Sequence, residues 1–232
     1  MAESPRLLAL LPCAGRGARV GTKLPKQYQP VGGQALVRHT LAALVAVRRL
    51  SRLLVVVAPG DTLLAGHDVG WQLADCGGAT RAETVFNGLA YLRAGGASER
   101  DWVLVHDAAR CLVTPTEIHA LIDACLPDTV GGLLALPLAD TLKIERDGRA
   151  AGTLERTGKW LAQTPQMFRL GELYAALSVH AATGFVGITD EASAMEAAGH
   201  RPLLVRGSAQ NIKITYPEDF VLAEAILRGR LQ

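Results

Sequence analysis

The sequence predicts an α/β sandwich on a mostly parallel sheet, and three observations carry that prediction. Short apolar runs of strand length alternate in order with helical patterns. The runs are near-continuous in apolar character, which suits strands covered on both faces. Capping signals open several of the helical segments between them.

Leu7–Leu11 is the first predicted strand. It also resembles the core of a signal peptide, but its five residues fall short of the usual ~7–15 and Glu3 precedes it. A helix is expected over about 34–47, with Leu36, Thr40, Leu44 and Val47 at helical spacing. Leu53–Ala58 reads as the second strand. A second helix, over about 81–93, aligns Val85, Leu89 and Leu92 on one face behind a Thr80…Glu83 capping box. Trp102–Val105 is the third strand, and Thr114-Pro115-Thr116-Glu117 opens the next helix with proline at its first position. Leu133–Leu136 is a further strand.

The alternation breaks over about 137–165. Asp140–Glu145, Asp147-Gly148 and Ala150–Arg156 read as two polar strands joined at a hairpin turn. The hairpin is either an inserted arm that packs on a partner subunit or a plain edge hairpin of the sheet. Thr189-Asp190-Glu191 marks a helix start, with acids suited to a helix N-terminus. Lys213, between Ile212 and Ile214, is expected on a strand and turned away from their face. Thr215-Tyr216-Pro217-Glu218 opens a C-terminal helix toward Leu227. One domain over 1–232 is expected, with the arm at about 138–160.

The 232 residues are 49% hydrophobic and 20% charged, with a net charge of +2. This composition excludes a disordered chain and a strongly basic nucleic-acid binder. No apolar run approaches the ~18 residues of a membrane span. Cys13, Cys76, Cys111 and Cys125 are far apart and form no C-x-x-C pair, which points to a reducing, cytoplasmic setting.

Three segments suit chemistry. Pro12-Cys13-Ala14-Gly15-Arg16-Gly17-Ala18-Arg19 follows the first strand, and its small residues let backbone N–H groups approach phosphate oxygens. It lacks the third glycine of the dinucleotide fingerprint and the G-K-S/T of a P-loop, so an ordinary glycine turn is the competing reading. Arg16, Arg19, Lys23 and Lys26 lie nearby, and a triphosphate needs several cations. Val103–Val105 runs into His106-Asp107-Ala108-Ala109-Arg110, an acid at a strand end where α/β sheets bind ligands and where one carboxylate can hold Mg²⁺. His106 is either a second metal ligand or a hydrogen-bonded structural residue. Cys76-Gly77-Gly78-Ala79-Thr80 is a glycine turn entering the capped helix, where a base could lie against the backbone. The serine-hydrolase elbow, H-E-x-x-H and C-x-x-C motifs are absent from the sequence. The set fits phosphoryl or nucleotidyl transfer, where positioning and charge stabilisation do most of the catalysis.

Six segments in order resemble the 2-C-methyl-D-erythritol 4-phosphate cytidylyltransferase family: Pro12–Arg19 with Pro25-Lys26-Gln27-Tyr28, Val105–Arg110, Asp140–Lys143, Thr164–Gln166, Thr189–Ser193 and Asn211–Thr215. The resemblance implies a three-layer, Rossmann-like nucleotidyltransferase fold. It also implies CMP transfer from CTP to methylerythritol 4-phosphate with Mg²⁺, in a homodimer whose arms exchange. By this resemblance Arg19, Lys26, Arg156 and Lys213 are catalytic. Pro12, Cys13, Ala14, Gly15, Gly17, Arg19 and Lys26 would wrap the triphosphate. Gly78, Ala79 and Thr84 would flank the cytosine, and Ala108 and Ala109 the ribose. Asp107, Arg110, Thr141, Arg156, Thr189 and Lys213 would bind the second substrate, with Asp107 also holding the metal.

Four positions depart from the family pattern. Cys13 replaces alanine and would make the site sensitive to alkylation. Cys111 replaces proline and would loosen its turn. Ala79 removes a side-chain contact to the base, and Gln210 removes an acid. Competing readings are a cytidylyltransferase for another alditol phosphate such as ribitol 5-phosphate, against which Ala109 weighs; a silent nucleotide-binding scaffold; and a nicotinamide-dependent oxidoreductase.

Overall fold

A computed structural model describes residues 4–15, 24–66 and 70–230. β1 (Leu7–Pro12), β4 (Arg52–Val56), β5 (Gln72–Ala74), β6 (Trp102–Val105), β7 (Gly131–Pro137), β10 (Trp160–Arg169) and β11 (Leu203–Arg206) form one seven-stranded sheet. Its order is β11-β7-β10-β6-β1-β4-β5. β10 runs antiparallel to both its neighbours, and every other pair is parallel. The expected α/β architecture with a mostly parallel sheet is therefore present.

Alternating residues of the same strands serve opposite faces, which is why these runs carry few polar residues. Leu7, Ala9 and Leu11 pack with α1 (Leu36–Val45) and α3 (Pro115–Cys125) on one side. Leu8 and Leu10 pack with α2 (Arg81–Ala94) and α4 (Leu170–Ser178) on the other. α5 (Glu191–Ala197) joins that second layer through Ala194 and Met195. α6 (Pro217–Gly229) packs through Ala223 on a small third cluster with Leu36, Leu112 and Ile214, beside the two-residue strands β2 (Pro30–Val31) and β3 (Gln34–Ala35).

The capping signals resolve differently. Thr114 and Glu117 form the complete box of α3. Thr80 accepts from Glu83 N, but the Glu83 carboxylate accepts from Ala79 N, one residue before the cap. At α6 the box is shifted by one residue from the expected Thr215–Glu218 frame. Proline takes the first helical position, so Tyr216 becomes the cap, and Asp219 accepts from Thr215 N and Tyr216 N at 2.7 and 2.8 Å.

The hairpin is β8 (Leu142–Arg146) and β9 (Arg149–Leu154), a two-stranded sheet of its own and not an edge of the main sheet. Asp147 and Gly148 both have positive φ, the backbone that a two-residue hairpin turn with this strand twist requires. Ile144 and Leu154 are exposed on it, as are Trp160 and Leu161 at the start of β10. Among the described residues no helix is long and apolar enough to cross a membrane.

Candidate functional site

A cavity of about 680 Å³ opens beyond the carboxyl ends of β1, β4 and β6, within the size range of small-molecule sites. Pro12, Cys13, Ala14 and Gly15 line it from the end of β1. Gly78, Ala79 and Thr84 line it from the turn and first helical residues that follow β5. Asp107, Ala108 and Ala109 line it from the end of β6, and Lys26 and Lys213 reach it from flanking segments. Twelve sequence-predicted residues thus meet in one place. Arg19 and Gly17, with Arg16 and Lys23, lie outside the described residues.

Local packing shapes the Gly77–Gly78 side of the cavity. A Cβ at Gly77 would collide with Ala14 and the Val57 carbonyl, so only glycine lets the two loops touch. Thr84 Oγ1 accepts from Gly78 N at 3.1 Å and donates to Thr80 O at 2.9 Å. Its hydroxyl sets the glycine turn. Gln27 is buried, and its Nε2 donates to Cys13 O and Gly15 O at 2.8 and 2.9 Å, tying the first loop down.

The Cys13 side chain is buried, and burial pushes its thiol up to about 12, with Asp61 adding to the rise against a Tyr28 hydrogen bond. That corrects the expected alkylation sensitivity: a thiol that stays protonated is a poor nucleophile. Cys111 is buried beside Leu112 and Ile214, and its turn is held by Arg110 N donating to Asp107 O at 3.0 Å. Gln210 accepts from Arg230 at 3.0 Å, a contact its amide oxygen makes without the missing acid.

The charged centre is Asp107, 7% exposed. Arg81 Nε contacts Oδ1 at 2.6 Å and Lys213 Nζ contacts Oδ2 at 2.6 Å. Burial alone would push this carboxyl up, but Arg81 and then Lys213 outweigh it and hold it well below the usual carboxylate range. Lys26 Nζ donates to Ile214 O at 2.5 Å, beside Lys213. The Lys213 segment is not a strand, which corrects that expectation. Its backbone partner is the turn after β6, with Ile214 N donating to Ala109 O at 2.9 Å. Alternation still holds, since Ile214 is buried while Lys213 turns to Asp107.

His106 is fully buried. Its Nδ1 shares a 3.0 Å hydrogen bond with Thr164 Oγ1, and its Nε2 lies 3.1 Å from Arg110 O. Burial pushes it down to about 4, against the pull of Asp107. It is the structural histidine of the two alternatives. Thr164 also accepts from Asp107 N at 3.0 Å, and a register shift in β10 between Ala162 and Gln166 brings it there.

Arg110 was expected on substrate. In this structure its guanidinium donates to Asn211 O at 2.6 Å and Ala162 O at 3.1 Å, bracing the Lys213 segment. Thr141, Arg156 and Thr189 are exposed and do not line the cavity. Arg156 donates to Ala139 O, and Thr189 N donates to Ser193 Oγ at 3.0 Å.

A protein-built metal cage does not fit these residues. Both oxygens of Asp107 are taken by cations, and the described residues contain no group of three or more His, Cys, Asp or Glu side chains placed to share an ion. In this structure Asp107 holds the Arg81 and Lys213 cations.

Sequence reading missed Arg81 and Glu191. Glu191 is 1% exposed and accepts from both terminal nitrogens of Arg81, at 2.7 and 2.9 Å. Arg81 sat inside a capping box and Glu191 at a helix start, so both had ordinary local explanations.

The model of the 2-C-methyl-D-erythritol 4-phosphate cytidylyltransferase family matches residues 7–229. The chain is 60% identical over 230 residues to the "Bifunctional enzyme IspD/IspF" of Albidiferax ferrireducens, an alignment covering 98% of this chain and 54% of that protein. It therefore spans about half the length of that relative. It is 53% identical to the 2-C-methyl-D-erythritol 4-phosphate cytidylyltransferase of Ralstonia nicotianae, over 97% of this chain and 92% of the relative. The crystal structure of a 4-diphosphocytidyl-2C-methyl-D-erythritol synthase superposes with a TM-score of 0.86 at 38% identity, covering 97% of this chain and all of that one.

Proposed function

The chain belongs to the 2-C-methyl-D-erythritol 4-phosphate cytidylyltransferase family, and from that membership we propose how its residues carry the reaction. The reaction transfers CMP from CTP to 2-C-methyl-D-erythritol 4-phosphate, a step of non-mevalonate isoprenoid precursor synthesis. A phosphate oxygen of the second substrate attacks the α-phosphorus of CTP. The bond from that phosphorus to the bridging oxygen breaks, and diphosphate leaves with the electron pair. The attacking oxygen is already anionic at neutral pH, so the site needs no general base.

The observation that carries the residue roles is the gathering of Lys26 and Lys213, with Arg81 and Asp107, in the lining of one cavity that also includes small residues and glycines. Cytosine lies against Gly78, Ala79 and Thr84, and ribose against Ala108 and Ala109. The triphosphate follows the Pro12–Gly15 loop, with Gly17 and Arg19 continuing it. Lys26 and Arg19 stabilise charge on the pentavalent phosphorus and the leaving diphosphate, and Lys213 faces the incoming phosphate. Mg²⁺, were it bound with CTP, would supply neutralisation of the triphosphate charge, and Asp107, the carboxylate in the described cavity lining, would be the residue to hold it.

Thr141 and Arg156 lie on the arm and Thr189 before α5, all outside the cavity. Their proposed role in holding the substrate phosphate is supported if the arm of a second copy crosses to this cavity in a homodimer. Exposed Ile144, Leu154 and Leu161 offer apolar surface for that exchange. The four free thiols support a cytoplasmic setting.

Diphosphate release from CTP, with methylerythritol 4-phosphate compared against ribitol 5-phosphate, tests the reading. Release with the first substrate alone is expected. Release with ribitol 5-phosphate alone would overturn the assigned substrate and keep the nucleotide chemistry.

A further inference from the structure

Four charged groups from distant parts of the chain form one line. Glu191 opens α5, and both its oxygens take the fork of Arg81, the first residue of α2. Arg81 turns its Nε to one oxygen of Asp107, and the other oxygen of Asp107 takes Lys213. Arg81 and Asp107 both line the cavity, while Glu191 stands behind them.

A buried ion pair is a poor way to hold two helices together. Desolvation cancels most of its attraction, and well-packed apolar residues often serve as well. Its geometry is another matter. A guanidinium held by two bonds to Glu191 has a fixed plane, so its Nε fixes one Asp107 oxygen in space. A carboxylate pinned at one oxygen offers the other in one direction only.

We propose that Arg81, braced by Glu191, is a positioning residue for nucleotidyl transfer: it pins Asp107 so that Asp107 presents the Lys213 ammonium at the cavity wall. The inference rests on the role of Lys213 proposed above. Without Arg81 the Asp107 carboxylate is free to rotate and take Lys213 into a two-oxygen pair, off the phosphate path. Nothing in this role requires Arg81 to bind CTP, so its loss acts on turnover and not on nucleotide affinity.

On the wild-type background, where Lys213 still pairs Asp107, the charge-balanced double variant Arg81→Gln/Glu191→Gln leaves no orphaned buried ion. Steady-state diphosphate release is measured for it, for wild type, and for both on a Lys213→Ala background. The expected result is a fall in kcat of about 30-fold with the KM for CTP within about threefold. On the Lys213→Ala background the same pair of substitutions should cost less than about threefold, because residues acting through one group are non-additive. Wild-type kcat, a rise in KM alone, or a full loss repeated on the Lys213→Ala background would each overturn the proposal. If thermal unfolding shows the double variant to be unfolded, Glu191→Gln alone decides: a fall in kcat of about threefold or more supports the proposal, and wild-type kcat overturns it. An inactive wild type would overturn the cytidylyltransferase reading and this inference with it; an active wild type beside unaffected variants would overturn this inference alone.

Discussion

Around the cavity, charged side chains interlock on two buried carboxylates: Glu191 holds Arg81, Arg81 holds Asp107, and Asp107 holds Lys213. On the arm they stand in the open. Lys143 reaches only across its own hairpin, to Thr153 Oγ1 at 2.7 Å, and Arg156 folds back on Ala139 O. The described residues of the cavity lining are mostly buried or half-buried within one chain, whereas β8 and β9 bury little of anything. A preorganised wall can stabilise charge without rearranging, and an exposed arm can do so only after it meets something. In the proposed reading, the first region carries the nucleotide and the second carries the partner substrate's phosphate to it.

The largest expected effect breaks the cavity side. Lys26→Ala should lower kcat on the order of 100-fold, as loss of one charge-stabilising donor does, while circular dichroism and the unfolding midpoint stay near wild type. A rate within tenfold of wild type would remove Lys26 from the chemistry. Next comes the arm. Arg156→Ala should lower kcat/KM for methylerythritol 4-phosphate by roughly 10- to 100-fold and leave the KM for CTP unchanged. A parallel rise in the KM for CTP would place Arg156 with the nucleotide and erase the contrast.

A smaller effect sharpens the contrast through pH. His106 is buried beneath the cavity and held down at about 4, below its unfolded value near 6.5. The unfolded chain therefore binds more protons between these values, and stability is lost as pH falls through that window. Asp107, held low by Arg81 and Lys213, acts in the same direction only below the usual carboxylate pKa. Denaturant melts should show a loss on the order of 1–3 kcal/mol between about pH 6.5 and 4, and His106→Gln should flatten it. An unchanged slope in the variant would contradict the assignment. The smallest effect lies away from both regions. Thr114→Ala removes the α3 cap and should cost about 1 kcal/mol with unchanged kcat. A change in kcat would mean that α3 couples to the site.

The strands of the parallel core were legible because burial on both faces leaves runs such as Leu7–Leu11 and Trp102–Val105 almost free of polar residues. β10 was not legible. Its buried Gln163, Thr164 and Gln166 serve hydrogen bonds to neighbouring loops, so neither alternation nor an apolar run marks it. The cavity residues were legible as motifs, since short loops after strands keep their members close. The Arg81–Glu191 pair was hidden by distance along the chain, 110 residues, and by adequate local roles for each member. The direction of Lys213 was legible in its neighbours' periodicity and its role only in the family resemblance, while the element was misread because a single backbone bond to Ala109 replaces a ladder.

The central claim is that one chain's cavity works with another chain's arm. The direct measurement mixes Lys26→Ala chains with Arg156→Ala chains, each strongly impaired alone, and follows diphosphate release after subunit exchange. Crossing arms give mixed dimers one intact site, so activity should recover to roughly a quarter of wild type when mixing is random. No recovery, with mixed dimers demonstrated by mass, would show that each arm serves its own cavity and would contradict the account.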